Sequence, residues 1–123
     1  MPAAYCGIVG LKPTYGLVST RGVIPLAWSL DHVGPMTRTA MDAALMLHVI
    51  AGYDPEDTNS ADAPLQNYAA ALESKTSSLR IAIPRAHFYD GLHPEVRGAM
   101  DTGLSVLGRL TSSQHEIEIP AGG

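Results

Sequence analysis

Between residues 3 and 37 the chain is broken at short intervals by Gly7, Gly10, Pro13, Gly16, Gly22, Pro25, Gly34 and Pro35. Helices of ordinary length do not fit between such breaks, since an interior Gly costs about 1 kcal/mol and an interior Pro about 3. The stretch is nevertheless apolar. "YCGIVGLK" (5–12) reads as a short strand whose glycines mark a bend or a close backbone approach. "TYGLVSTRGVIPLAWSLDHVGP" (14–35) reads as turns with short extended pieces, long enough that something should pack over it. Near-continuous apolar segments expect neighbours on both faces.

After Arg38 the pattern becomes periodic. Thr39 with Asp42 resembles a capping box, with Asp in place of Glu. Ala43, Ala44, Leu47 and Ile50 follow at helical spacing, Leu45 and Met46 widen the apolar face, and Gly52 is a natural stop. This helix (38–51) is expected to be buried on most sides. "YDPEDTNSADAP" (53–64) is a polar loop, flexible enough to act as a hinge. A helix is expected over 65–74, and "KTSS" is a linker. "LRIAIP" (79–84) alternates as a strand does. Pro94 opens a helix to about Leu110, striped by Val96, Met100, Leu104, Leu107 and Leu110. "HEIEIP" (115–120) is a final strand. Strand, helix and strand over 79–119 favour a right-handed parallel βαβ unit. The class is α/β. The 123 residues fit one domain, divided into 1–52, 53–78 and 79–119.

Composition excludes several functions. Apolar residues make up 46% and charged residues 16%, a globular balance. The net charge is −4 and the basic residues are scattered, so nucleic acid is no expected partner. No apolar run reaches the roughly 18 residues that span a bilayer, and no basic-then-apolar leader opens the chain. One cysteine makes neither an internal disulfide nor a zinc site. No metal or cofactor is expected, and the expected setting is the cytoplasm.

The motif content is more specific. Cys6, Gly7, Gly10, Lys12, Pro13, Thr14 and Gly16 form Cys-Gly-x-x-Gly-x-Lys-Pro-Thr-x-Gly. Ser29, Asp31, Gly34, Pro35 and Arg38 form Ser-x-Asp-x-x-Gly-Pro-x-x-Arg, and Asp42 opens Asp-Ala-Ala. This pattern resembles the amidase signature family. The resemblance covers essentially the whole chain and implies part of a mixed sheet with flanking helices. It also implies hydrolysis of carboxamide C–N bonds through a Ser acyl-enzyme, using a Ser–cisSer–Lys triad and backbone oxyanion donors. In the family those three residues precede the point matched by Met1, with the nucleophile about three positions upstream. The chain is therefore expected to be an interior piece of an amidase, inactive alone, with motif residues serving as scaffold.

Other readings of the same residues remain open. Lys12 belongs to the "GLKPT" segment and is expected at a structural or surface position. Cys6 reads as a small buried thiol, and His48 as packed on its apolar helix. Ser29, Asp31 and His32 carry the side-chain types of a hydrolase triad, and a small stand-alone ester or amide hydrolase would use them. Their crowding in sequence favours bonding to backbone in a turn. His87, His93 and His115 are scattered, and Tyr89 and Asp90 suggest no partner. A third reading is a non-catalytic α/β oligomerising module. The apolar segments 5–12 and 38–51 lead to an expected homo-oligomer.

Overall fold

The structure, a computed structural model, describes residues 1–86 and 88–119. It divides into two compact units, Met1–Ser74 and Lys75–Gly123, where one domain is expected, and the boundary falls just before "KTSS".

The first unit opens with helix α1 (Pro2–Cys6), where a strand is expected over 5–12. Strand β1 is reduced to Val9–Gly10. The signal for the helix is Pro at its first turn and Gly just past its end. Gly7 has φ 63° and ψ 36°, a left-handed turn that costs Gly nothing, and its N–H caps the carbonyls of Ala3 and Ala4. Cys6, at the end of this turn, is exposed rather than buried.

Strand β1 pairs antiparallel with β2 (Met36–Thr37), in the register Val9↔Thr37 and Gly10↔Met36. Just beyond, the Leu11 N–H donates to the Pro35 carbonyl at 3.0 Å. Thr39 then starts helix α2 (Ala40–Ile50), its hydroxyl accepting the Asp42 N–H at 3.1 Å. That is one half of the expected capping box. The buried face is Ala43, Ala44 and Leu47, as the spacing indicates, but burial on most sides does not follow. Met41, Leu45, Met46 and Val49 are exposed, and so is His48. Its neighbours in this unit cover only one stripe of the helix. Val18, Leu47 and Ala51 form the core of this unit, with Leu17, Val33, Ile50 and Tyr68 packed against them.

The expected helix over 65–74 shrinks to α3 (Tyr68–Ala71). Asn67 accepts the Ala70 N–H at 3.0 Å, so it caps the helix instead of continuing it. The polar loop after α2 is not a free hinge, since hydrogen bonds tie it to residues 19–21. The Asp57 carboxylate accepts the Thr20 N–H at 2.6 Å and the Ser19 hydroxyl at 3.0 Å. The same hydroxyl, with one hydrogen to give to either carboxylate, also lies 2.9 Å from Asp54, and Asp54 accepts the Arg21 Nε–H at 2.8 Å, while Arg21 also pairs with Glu56.

The second unit is the expected βαβ unit. Strand β3 (Arg80–Pro84) runs parallel to β4 (Ser113–Ile117), in register from Arg80↔Ser113 to Pro84↔Ile117. Between them runs α4 (Pro94–Leu110), with Pro in its first turn and His93 accepting the Glu95 N–H. Of the expected stripe only Leu104 is half-buried, and the other four residues are exposed. Ile83 and Tyr89 are buried. The Tyr89 ring meets the guanidinium groups of Arg85 at 5.0 Å and Arg97 at 5.9 Å, a partnership the sequence does not announce. His87 lies outside the described residues. The class is α/β, with the antiparallel and parallel pairings in two separate two-stranded sheets.

Two predictions test these contacts. The Asn59 N–H, then the Thr20 N–H, hold the Asp57 carboxyl at about 2, below its ordinary 3.8. Folding makes this acid stronger, so its contribution is complete above the unfolded value and is lost as pH falls through the folded one. Stability measured by circular dichroism should fall between about pH 4 and 2. Asp57→Asn should be less stable at neutral pH and show a flatter profile in that window; superimposable profiles would refute the assignment. The second concerns close approach. A Cβ on Gly34 would lie 2.2 Å from the Leu11 carbonyl oxygen and 2.8 Å from Pro13 Cδ, whereas one on Gly98 in α4 meets nothing within 4 Å. Gly34→Ala should destabilise by about 1–3 kcal/mol, and Gly98→Ala should stabilise by about 0.5–1 kcal/mol, in denaturant titrations.

Candidate functional site

The first unit holds a cleft of about 580 Å³. Met1–Ala4 and Ile8 line one part of it, and Leu30 to His32 with Gly34 to Met36 line another. Lys12 reaches it from just past β1. A cleft of this size, mostly apolar with a few polar groups, suits a small organic molecule.

Local chemistry builds the polar wall. The chain turns at Ala27, whose carbonyl accepts the N–H groups of Leu30 (2.7 Å) and Asp31 (2.9 Å). The Asp31 carboxylate closes the turn from the other side. Its Oδ2 accepts the Leu26 N–H at 2.8 Å, and both oxygens accept the Ala27 N–H at 3.1 and 3.2 Å. His32 Nδ1 lies 2.6 Å from the Leu30 carbonyl. A carbonyl only accepts, so Nδ1 carries the hydrogen and Nε2 of the neutral ring presents its lone pair. That lone pair faces the Lys12 ammonium, with Nζ 3.2 Å from Nε2. The Tyr15 ring meets the imidazole edge-on at 5.4 Å between centroids, and the Tyr15 hydroxyl donates to the Trp28 carbonyl at 3.2 Å.

This arrangement does not assemble the Ser29–Asp31–His32 triad. The Asp31 carboxylate is occupied by backbone donors and does not orient the imidazole. The His32 lone pair, which a general base would need, receives Lys12. Ser29 is exposed, and no hydrogen bond of its side chain is found among the described residues. What the structure brings together instead is Lys12, His32 and Tyr15. No short-range spacing in the sequence signals that set, because Lys12 and His32 lie 20 residues apart.

The other motif residues surround this wall. Pro35 is fully buried and Pro13 buried. Gly10 lies in β1 against Ala3 of α1. Gly16 accepts the Ala61 N–H through its carbonyl at 2.8 Å. Gly34 lies on Leu11. Asp42 sits in the first turn of α2, and Arg38 is exposed just before it. Among the described residues no cluster of three metal-ligating side chains occurs, and no helix is long and apolar enough to cross a membrane.

Known proteins are similar to this chain in sequence and in fold. The glutamyl-tRNA(Gln) amidotransferase A-type subunit of Trichlorobacter lovleyi is 51% identical over 119 residues, covering 97% of this chain and 24% of that protein. The crystal structure of the corresponding Thermotoga maritima amidotransferase subunit superposes with a TM-score of 0.88 at 34% identity, covering 97% of this chain and 26% of that one. The peptide amidase of Stenotrophomonas maltophilia gives a TM-score of 0.73 at 34% identity, covering 92% of this chain and 24% of that one. The chain thus spans about a quarter of the length of the curated relatives it matches. The family model described as Amidase matches residues 1–121, nearly every residue from α1 through β4, and the chain belongs to that amidase family.

Proposed function

We propose that the first unit forms one wall of the substrate cleft of a cytoplasmic serine amidohydrolase, and that the second unit is a βαβ piece of the same enzyme. The whole enzyme cleaves carboxamide C–N bonds through a Ser acyl-enzyme, and this chain alone does not. The observation that carries the second point is the occupancy of the polar wall: Asp31 is taken by backbone and the His32 lone pair by Lys12. The motif residues Cys6, Gly7, Gly10, Pro13, Gly16, Ser29, Asp31, Gly34, Pro35, Arg38 and Asp42 act as scaffold in this reading. Close backbone approaches at Gly10 and Gly34 support it. A single cysteine, free and exposed, accords with a reducing compartment. Purified chain should give no turnover of phenylacetamide or p-nitrophenyl acetate above buffer, since loss of a nucleophile costs on the order of a millionfold in kcat. Robust turnover abolished by Ser29→Ala would overturn this and establish a stand-alone hydrolase.

A second reading, association with another copy of this chain, rests on α2. Val49 is 81% exposed, Leu45 52% and Met46 47%, all on one helix beside a small core. The relatives are named as subunits, which accords with contact to another chain. Burying such surface returns roughly 25 cal/mol per Å², a driving force toward association. Light scattering at micromolar concentration should report a mass above the monomer, and Val49→Glu should shift it to the monomer. A wild-type monomer at every concentration would eliminate the reading.

A further inference from the structure

The cleft wall holds a cation for which no described residue supplies an ion-pair partner. Lys12 lines the cleft and uses one ammonium N–H on His32. It has no ion pair among the described residues. Asp31, the only carboxylate lining the same cleft among the described residues, is already occupied by the N–H groups of Leu26 and Ala27. His32 is fixed in turn by the Leu30 carbonyl and the Tyr15 ring, so it gives Lys12 a defined anchor. Beside this pair the wall is apolar, with Ile8, Leu30, Pro35 and Met36.

We propose that Lys12, held by His32, is an anion-recognition group that selects small organic carboxylates with an apolar body for this cleft. A carboxylate oxygen would take the free ammonium N–H groups in charge-assisted hydrogen bonds. The apolar body would lie along Ile8, Leu30 and Met36. His32 is the positioning residue: as an acceptor for the third N–H it limits where the ammonium can stand. The reverse arrangement, a cationic ligand at this point, would meet the like charge of the Lys12 ammonium. This inference deepens the amidohydrolase reading and rests on the same cleft, but it is read by binding rather than turnover, so the two fail separately.

The test compares two probes that share one body. Phenylacetate and the neutral phenylacetamide are titrated into the isotope-labelled full chain at low salt, with chemical shifts followed by NMR. Phenylacetate should bind about tenfold more tightly, the scale of one charge-assisted hydrogen bond. The largest shifts should fall on Lys12, His32 and residues 8–11 and 30–36. The preference should vanish in Lys12→Gln, persist in Lys12→Arg and weaken in His32→Ala. In the unmodified chain it should also decline as salt is raised, a readout that requires no variant to fold. Equal affinity for acid and amide would overturn the proposal, as would binding of neither. A preference that survives Lys12→Gln would place the charge elsewhere on the wall, such as at Met1, and would equally refute it.

Discussion

The backbone of Leu11 and the Gly34–Pro35 dipeptide approach so closely that a side chain on residue 34 would stand 2.2 Å from the Leu11 carbonyl oxygen. The Leu11 N–H bonds to the Pro35 carbonyl there, and the register Val9↔Thr37 follows on the next pairs. This one contact carries two consequences. Toward the C-terminus it aims the chain at Thr39 and so fixes where α2 begins. Toward the site it brings Lys12, the residue after Leu11, beside His32, three residues before Pro35. A two-residue strand pair is weak by itself. Its strength lies in excluding anything between the strands, and that is why glycine occupies position 34.

Polar contacts complete what a small core leaves undone. Val18, Leu47 and Ala51 are too few to hold a 74-residue unit. The loop after α2 is closed instead by Asp54 and Asp57, across sequence separations of 33 to 38 residues. Closing a loop of that length costs only slightly more than closing a short one, so a few directed bonds suffice. These carboxylates meet backbone N–H groups and hydroxyls as well as Arg21. The bonds are therefore directional and persist where a simple surface ion pair would be screened.

Legibility in the sequence followed the range of the determining contact. The βαβ unit was readable because its signals are local: alternation in 80–83, Pro94 at a helix start, and a crossover too long for a hairpin. The buried residues of α2 were readable from spacing alone. The failures fall where a local preference lost to a neighbour or a cap. Residues 5–12 carry β-branched Ile8 and Val9, yet Pro2 and Gly7 bracket a helix that takes Tyr5 and Cys6 out of the strand. The stretch 65–74 has good helix formers, but Asn67 offers its side chain as a cap and delays the start. Exposure of Met46 and Val49 depends on what covers the helix, which periodicity does not encode. At the site, the Gly and Pro positions of the motif were visible, whereas the Lys12–His32 pairing required the register of β1 on β2.

The same hydrogen-bond logic decides both what His32 cannot do and what Lys12 can. A histidine serves as general base only while one nitrogen keeps a free lone pair within reach of the proton it removes. Here the Leu30 carbonyl fixes the hydrogen on Nδ1, and Nε2 faces an ammonium. Base catalysis at that nitrogen would first require Lys12 to leave. Asp31 cannot assist, because releasing it would break three hydrogen bonds that shape the turn carrying His32. On this wall the free N–H groups of Lys12 are charged donors that no described residue takes up. A wall with donors to give and no base to offer recognises a negative group, while the bond-breaking chemistry must come from other residues.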